Sequence, residues 1–174
     1  MRTTAFLAAA LGLLPLCAMA APVDVCFVPA ERCDVRIADE IAAARSSIRL
    51  QAYGFNSKVI LPALVAAKRR GVDIAVILDR SDERGAHIGI AEMQAAGVPI
   101  WIDTPPGIAH MKAIVIDQRQ VIAGSLNFTN SAQRRNVEDV LFVDDPRVAT
   151  RFLENWRERQ AVSRAPLPDA FAGR

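Results

Sequence analysis

The chain has 174 residues, 52% of them apolar and 23% charged, with nine Gly and ten Pro. That is one domain's length with a globular composition, which excludes collagen-like, low-complexity and disordered classes. Net charge is +2, from 21 Lys and Arg against 19 Asp and Glu, so bulk charge selects no polyanionic partner, although a neutral protein can still carry a basic patch.

In chain order, the first segment reads as a targeting signal. Arg2 supplies a positive start, residues 6–17 are almost continuously apolar, and Ala18-Met19-Ala20 has the small-x-small pattern of a cleavage site. Residues 1–20 are therefore expected to be a signal peptide cut after Ala20. The apolar run is shorter than the ~20 residues that span a bilayer, and Leu16 is too bulky before Cys17 for a lipidation signal. The mature chain shows no integral membrane segment and is expected to be exported, to the periplasm or as a secreted protein. Once Cys17 is removed, Cys26 and Cys33 remain, and an oxidising compartment favours one disulfide between them over two buried thiols.

A short strand is expected at 23–27, then a helix capped by Asp34 with Val35, Ile37, Ile41 and Ala44 on one face. Alternation over 47–55 predicts a strand. Asn56 or Ser57 caps a helix to Arg70, with Pro62 tolerable in its first turn. Residues 72–78 form a β-branched run of the buried-strand type. A helix around 87–96 ends at Gly97, a strand follows over 98–102, and Pro105, Pro106 and Gly107 break the chain. Strands at 110–116 and 120–123 flank a turn at 117–119; a last strand covers 137–143, and Asp145-Pro146 opens a helix to about Arg159. Strand–helix alternation predicts an α/β fold whose mixed, largely parallel central sheet has helices on both faces. Residues 21–163 are expected to form a single domain and 164–174 a frayed tail.

One stretch stands apart: His110-Met111-Lys112, Asp117 and Gly124-Ser125-Leu126-Asn127. On a strand, His110 and Lys112 point to one face. A fixed ammonium there neutralises a phosphate oxyanion and favours a neutral, nucleophilic imidazole. Gly124 permits close approach of a ligand to the backbone, while Ser125 and Asn127 offer neutral donors to non-bridging oxygens. Imidazole, ammonium and amide without a carboxylate cluster suggest phosphoryl chemistry without a bound metal.

This segment resembles the HKD motif of the phospholipase D superfamily, H-x-K-x4-D-x6-G-S-x-N, with every fixed position filled. The resemblance extends through VCFVPAERC, RLQAYGF, AAKRRGVDIAVILD and AGVPIWID to GSLNFTNSAQRRNVED. It is similar to the small, single-motif bacterial endonucleases of the Nuc type, and implies the phospholipase D/nuclease fold with one motif per chain. Carried over residue by residue, it implies that His110 is the nucleophile, forming a phosphohistidine. Lys112 and Asn127 bind phosphoryl oxygens, Ser125 supports them, and Glu138 hydrogen-bonds and orients His110. Asp117 has an architectural role, and no metal or cofactor is required. The modest net charge departs from what a nucleic-acid enzyme would show.

The expected function is an exported, metal-independent phosphodiesterase, a low-specificity endonuclease with DNA favoured as substrate. The first alternative is a phospholipase D acting on phospholipid head groups; the loop TPPGIA offers a bilayer only Ile108, which favours the nuclease. The second is a non-catalytic nucleic-acid-binding or surface-apparatus protein. In-line transfer needs a nucleophile and a proton donor on opposite sides of phosphorus. A chain with one motif therefore points to a homodimer sharing one site between two His110 side chains. Tyr53 and Phe55 read as core residues, with base stacking as the alternative. Arg134 and Arg135 read equally as a phosphate-contacting rim or a solvated pair, and His87 as a surface residue without a role.

Overall fold

The apolar alternation of the second strand and the unbroken β-branched run of the third bury the centre of a single sheet. The computed structural model describes residues 21–84 and 88–167; the expected signal peptide 1–20, His87 and residues 168–174 lie outside the described residues. The elements run β1 (Val23–Val28), α1 (Cys33–Ala43), β2 (Ser47–Ala52), α2 (Ile60–Arg69), β3 (Asp73–Asp79), α3 (Arg80–Arg84) and α4 (Ile88–Ala95). They continue with β4 (Ile100–Asp103), β5 (Lys112–Ile116), β6 (Gln120–Gly124), α5 (Asn130–Arg135), β7 (Glu138–Asp144) and α6 (Pro146–Val162). The seven strands form one sheet in the order β1-β7-β6-β5-β2-β3-β4.

The sheet is mixed and has helices on both faces, as expected, but its parallel share is smaller than the alternation suggested. Only β2–β3 and β3–β4 are parallel; β1–β7, β2–β5, β5–β6 and β6–β7 are antiparallel. The β5–β6 pair is the antiparallel hairpin expected around Asp117; the excess comes from β5 lying against β2 and from β7 returning between β6 and β1. Asp117 and Gln118 adopt φ of 51° and 57°, the positive pair of a type I′ hairpin turn, and a two-residue turn can join only antiparallel strands.

One face of the sheet places Ile48, Leu50, Ile74, Val76, Ile114 and Ile122 against Ile37 and Ile41 of α1, Leu64 of α2 and Met93 of α4. On the other face α6 sets Ala149 and Leu153 on Val115 and Val121, and Trp156 on Ala75 and Ile77. Trp156 also donates from Nε1 to Leu50 O at 3.2 Å and meets Trp101 edge-on.

Several boundaries differ from expectation. Asp34 lies inside α1 rather than capping it; the N-cap is Arg32, whose guanidinium pairs with the Asp34 carboxylate, and Val35 faces solvent. Neither Asn56 nor Ser57 is the N-cap of α2, which is Val59; Ser57 lies two residues ahead, its Oγ accepting from the amides of Val59 and Ile60. Residues 80–95 hold two short helices, α5 was not foreseen, and β5 starts at Lys112, leaving His110 outside it. The tail is held at its start: Arg164 exchanges two backbone bonds with Ile102 and pairs with Glu83, which also accepts from Leu167 N.

Cys26 and Cys33 are joined by a disulfide, tying the end of β1 to the start of α1. From the length of the closed loop, the Cys26→Ser/Cys33→Ser variant should lose about 2–3 kcal/mol of unfolding free energy. The non-reduced protein should weigh two hydrogens less than the reduced one.

Candidate active site

Strand register decides which predicted residues meet. Ala52 pairs with Lys112, Ala113 with Ala123, Gly124 with Val140, and Val28 with Glu138. The carboxyl ends of β2 and β3 thus share one end of the sheet with the start of β5, the end of β6 and the start of β7. That is where open α/β sheets place ligands. His110, Lys112, Ser125, Asn127 and Glu138 all fall there. Asp117 does not: it is five residues further along β5, roughly 17 Å away at strand rise.

At that far end Asp117 accepts hydrogen bonds from the amides of Arg45, Ser46 and Ser47 at 2.7–2.9 Å, and from Ser46 Oγ at 2.8 Å. Burial pushes its pKa up, but these donors outweigh burial and hold it below the usual aspartate value. It ties the hairpin turn to the start of β2.

His110 is exposed, two residues before β5. Its ring lies 4.6 Å from that of Tyr53, tilted by 57°. Lys112 is buried, donates from Nζ to His110 O at 3.0 Å, and stands 5.2 Å from the centre of the same Tyr53 ring. Burial lowers the Lys112 pKa, and the negative charge of Glu138 opposes that shift. Tyr53 therefore touches both chemical groups, although the sequence grouped it with Phe55 in the core. Phe55 is in the core, fully buried and bridged to Phe128. The two part because β2 ends at Ala52 and Gly54 adopts φ +74°, which breaks the pleat that would have kept them on one face.

Two buried aspartates hold these loops. Asp82 accepts from the amides of Gly54 and Phe55, both at 3.0 Å. Asp79 accepts from Ser81 N at 2.8 Å and from Ala109 N at 2.7 Å, fixing the residue before His110. Burial raises the Asp79 pKa, but bonds from Ser81 and Ala109, aided by Arg80's charge, bring it below the ordinary value. Sequence reasoning missed both, though a carboxylate that closes an apolar strand, as Asp79 closes β3, is a readable signal.

Gly124 is needed for a different contact from the one expected. A Cβ there would lie 2.2 Å from Asp139 O, so the close approach is to β7 and not to a ligand. Ser125 reinforces it, its amide donating to Asp139 O at 3.1 Å and its Oγ accepting from Asp139 N at 3.0 Å. Asn127 packs beside Gly54, and its buried Oδ1 has no hydrogen-bond partner, a cost of about 1–3 kcal/mol that a donor entering the site would relieve.

Glu138 accepts from Asn136 Nδ2 at 2.8 Å. No hydrogen bond joins it to His110, so the expected orienting contact is absent: His110 sits outside β5 against Tyr53, and the field of Glu138 falls on Lys112. Beside His110 a cavity of about 260 Å³ is lined by Ala52, Ile77, Leu78, Ile108 and Met111, with Arg159 at its wall. Among the described residues no group of three or more His, Cys, Asp or Glu could hold a metal ion, and no helix is long and apolar enough to cross a membrane.

Residues 37–159 match the family described as "Cardiolipin synthase, PLD-like domain". The "Phospholipase D" of Rickettsia prowazekii (strain Madrid E) is 43% identical over 143 residues, covering 82% of this chain and 70% of its own. The "Mitochondrial cardiolipin hydrolase" of Homo sapiens is 33% identical over 123 residues, 70% of this chain and 48% of its own. Among solved structures, a phospholipase D family member, Nuc from Salmonella typhimurium, matches with a TM-score of 0.78 at 35% identity, over 84% of this chain and 98% of that one.

Because Tyr53 contacts both His110 and Lys112 through its ring and not its hydroxyl, Tyr53→Phe should keep phosphodiester turnover near wild type. Tyr53→Ala should lose about ten- to a hundredfold in kcat through misplacement, with the His110 ring resonances shifted by the loss of the neighbouring ring current. Equal losses in the two variants would assign the effect to the hydroxyl.

Proposed function

We propose, from the premise that this chain belongs to the phospholipase D superfamily and is a phosphodiesterase, that it is an exported endonuclease acting through a phosphohistidine. The observation that carries the chemistry is the convergence of His110, Lys112, Ser125 and Asn127 on one sheet end. An imidazole nitrogen of His110 attacks phosphorus, forming a P–N bond as the P–O bond to the leaving alcohol breaks and that alcohol takes a proton. Water then attacks phosphorus, passing a proton to the group that had protonated the leaving alcohol, as the P–N bond breaks and a phosphomonoester is released. Lys112 and the Asn127 amide stabilise the charge on the non-bridging oxygens. Ser125 holds that segment to β7, and Glu138 supports the Lys112 ammonium. These donors serve the reaction without a metal.

The nuclease reading is supported by the match to Nuc over 98% of that chain at 35% identity and by the motif's resemblance to Nuc-type endonucleases. Export is supported by the apolar leader with its small-x-small site and by the Cys26–Cys33 disulfide, a bond favoured in oxidising compartments. The phospholipid reading has its own support in the names of the curated relatives and in the exposed Ile108, Met111 and Val137 near the site.

The assay compares plasmid DNA with phosphatidylcholine in parallel. Wild type should cut DNA in millimolar EDTA, and His110→Ala should abolish cleavage while remaining folded. Lys112→Ala and Asn127→Ala should lose about 10²–10³-fold in kcat. Activity that vanishes with EDTA and returns with Mg²⁺ would overturn the metal-independent mechanism, and turnover of phosphatidylcholine alone would overturn the nuclease reading.

The proton donor for the leaving group must lie opposite the nucleophile, and the motif supplies one histidine, His110. A two-fold dimer supplies it as His110 of a second copy, and would bury the apolar Ile108, Met111 and Val137 that surround the site. Heterodimers of wild-type and His110→Ala chains, isolated by differential tags, should then be severely impaired. Half the wild-type rate would mean independent sites.

A further inference from the structure

The described arginines divide into two sets. Eight of them face a carboxylate, among them Arg119 with Asp144, Arg159 with Asp103 and Arg164 with Glu83. Arg134 and Arg135 face none: Arg134 Nε donates only to Asn130 O of its own helix. Both line a groove of about 480 Å³ with Asn56, Asn130 and Ser131, and no carboxylate is among the lining residues. Lys58, exposed and without an ion-pair partner, adjoins it, its amide donating to Asn130 Oδ1 at 3.0 Å.

The groove is built on the catalytic loops themselves. Asn56 follows Tyr53 by three residues and Asn130 follows Asn127 by three. The two segments are locked together: the amides of Asn56 and Ser57 both donate to Phe128 O, Asn130 N donates to Asn56 Oδ1, and Asn130 Nδ2 donates to Asn56 O. That rigid pair of loops carries Tyr53 and Asn127 into the site and Arg134 and Arg135 along the groove, with Lys58 adjoining it through the hydrogen bond from its amide to Asn130. The other described cations without carboxylate partners are elsewhere; Lys68 and Arg69, for example, close α2 near the opposite end of the sheet.

The geometry points to a second binding site, a groove in which Arg134, Arg135 and Lys58 hold phosphates of a nucleic-acid strand flanking the one attacked by His110; this rests on the nuclease reading above. Three unpaired cations on a rigid wall neutralise a repeating polyanion without reading its bases, since phosphate contacts position a strand and carry no sequence information. A single phosphodiester head group has no second phosphate for such a row, whereas a strand has one per nucleotide.

Binding of a single-stranded oligonucleotide is measured against salt in a His110→Ala background, and cleavage is followed in otherwise wild-type protein with bis(p-nitrophenyl) phosphate as the short comparison substrate. Arg134→Gln/Arg135→Gln should lower the slope of log affinity against log salt by about 1.4, because each single-strand phosphate that a cation neutralises contributes ~0.7. It should weaken binding at least about tenfold near 0.1 M salt, and reduce the ratio of oligonucleotide to model-diester cleavage by a similar factor. Arg135→Gln alone, which leaves the Arg134–Asn130 contact intact, should show about half the change in slope. Lys68→Gln/Arg69→Gln should show none. An unchanged slope and ratio in the double variant would overturn the groove and leave the nuclease reading standing. Equal losses in the Lys68/Arg69 variant would overturn it as an effect of bulk charge. Loss of binding to phosphatidylglycerol vesicles with strand binding intact would reassign the groove to membranes. Wild type that neither binds nor cuts the oligonucleotide but hydrolyses phosphatidylcholine would remove the nuclease reading, and this groove with it.

Discussion

The antiparallel register of β5 on β2 fixes the geometry of the whole site. At one end Asp117 clamps it by receiving three successive amides from the turn that starts β2. At the other end the same register sets Ala52 against Lys112 and lets Tyr53 N donate to Met111 O at 2.8 Å. Because side chains alternate along a strand, a slip of one residue would turn Lys112 to the opposite face and send Ile114 out of the core. Apolar burial and catalytic alignment are therefore one constraint. Asp117 acts at a distance, holding the register that the chemistry reads, without any contact to the reacting groups.

Around that register the charges are sorted by what they must do. Asp79, Asp82 and Asp117 are spent on backbone amides, so loops that would otherwise be irregular are fixed where the ligand must sit. The lowered pKa values of Asp79 and Asp117 mean that their stabilisation is fully present above the ordinary aspartate range and is lost as pH falls through the lowered values. Lys112 is the opposite case: burial works against its ammonium, and the Tyr53 ring, the His110 carbonyl and the charge of Glu138 offset that penalty. An ammonium so partly desolvated is poised to gain from an incoming phosphate oxyanion.

Much of this was legible in the sequence because the relevant signals are local. The fixed spacing of His110, Lys112, Gly124, Ser125 and Asn127 picked out residues that the fold gathers at one end of the sheet, and strand alternation located all seven strands to within a few residues. What could not be read depends on pairing between segments. The alternation of strands and helices suggested a largely parallel sheet, but four of six pairings are antiparallel, since β5 lies against β2 and β7 returns beside β1, partners far apart in the chain. Gly124 carries the motif's signature of a ligand approach, yet the atom it accommodates is Asp139 O, on a strand the spacing does not mention. Tyr53 and Phe55 have the parity of one strand face, and only the positive φ of Gly54 separates them into site and core. Glu138 was assigned to His110 by resemblance, while the fold sets its charge on Lys112.

The same sorting of charge explains how a chain of net charge +2 can suit a polyanion. Bulk charge averages over ion pairs that present no field beyond a few ångströms in salt, and eight of the described arginines are held in such pairs. What a phosphate meets is the unpaired remainder, and at this end of the sheet that includes Lys112 inside the site, Lys58, Arg134 and Arg135 outside it, and Arg80, which donates to Gly107 O. A uniformly basic surface would bind a strand in any position, whereas on the nuclease reading a few free cations on loops fixed by Asp82 and the Asn56–Asn130 contacts would hold it in one line past His110. On that reading the near-zero net charge would give positional selectivity, with attraction confined to the place where cleavage can follow.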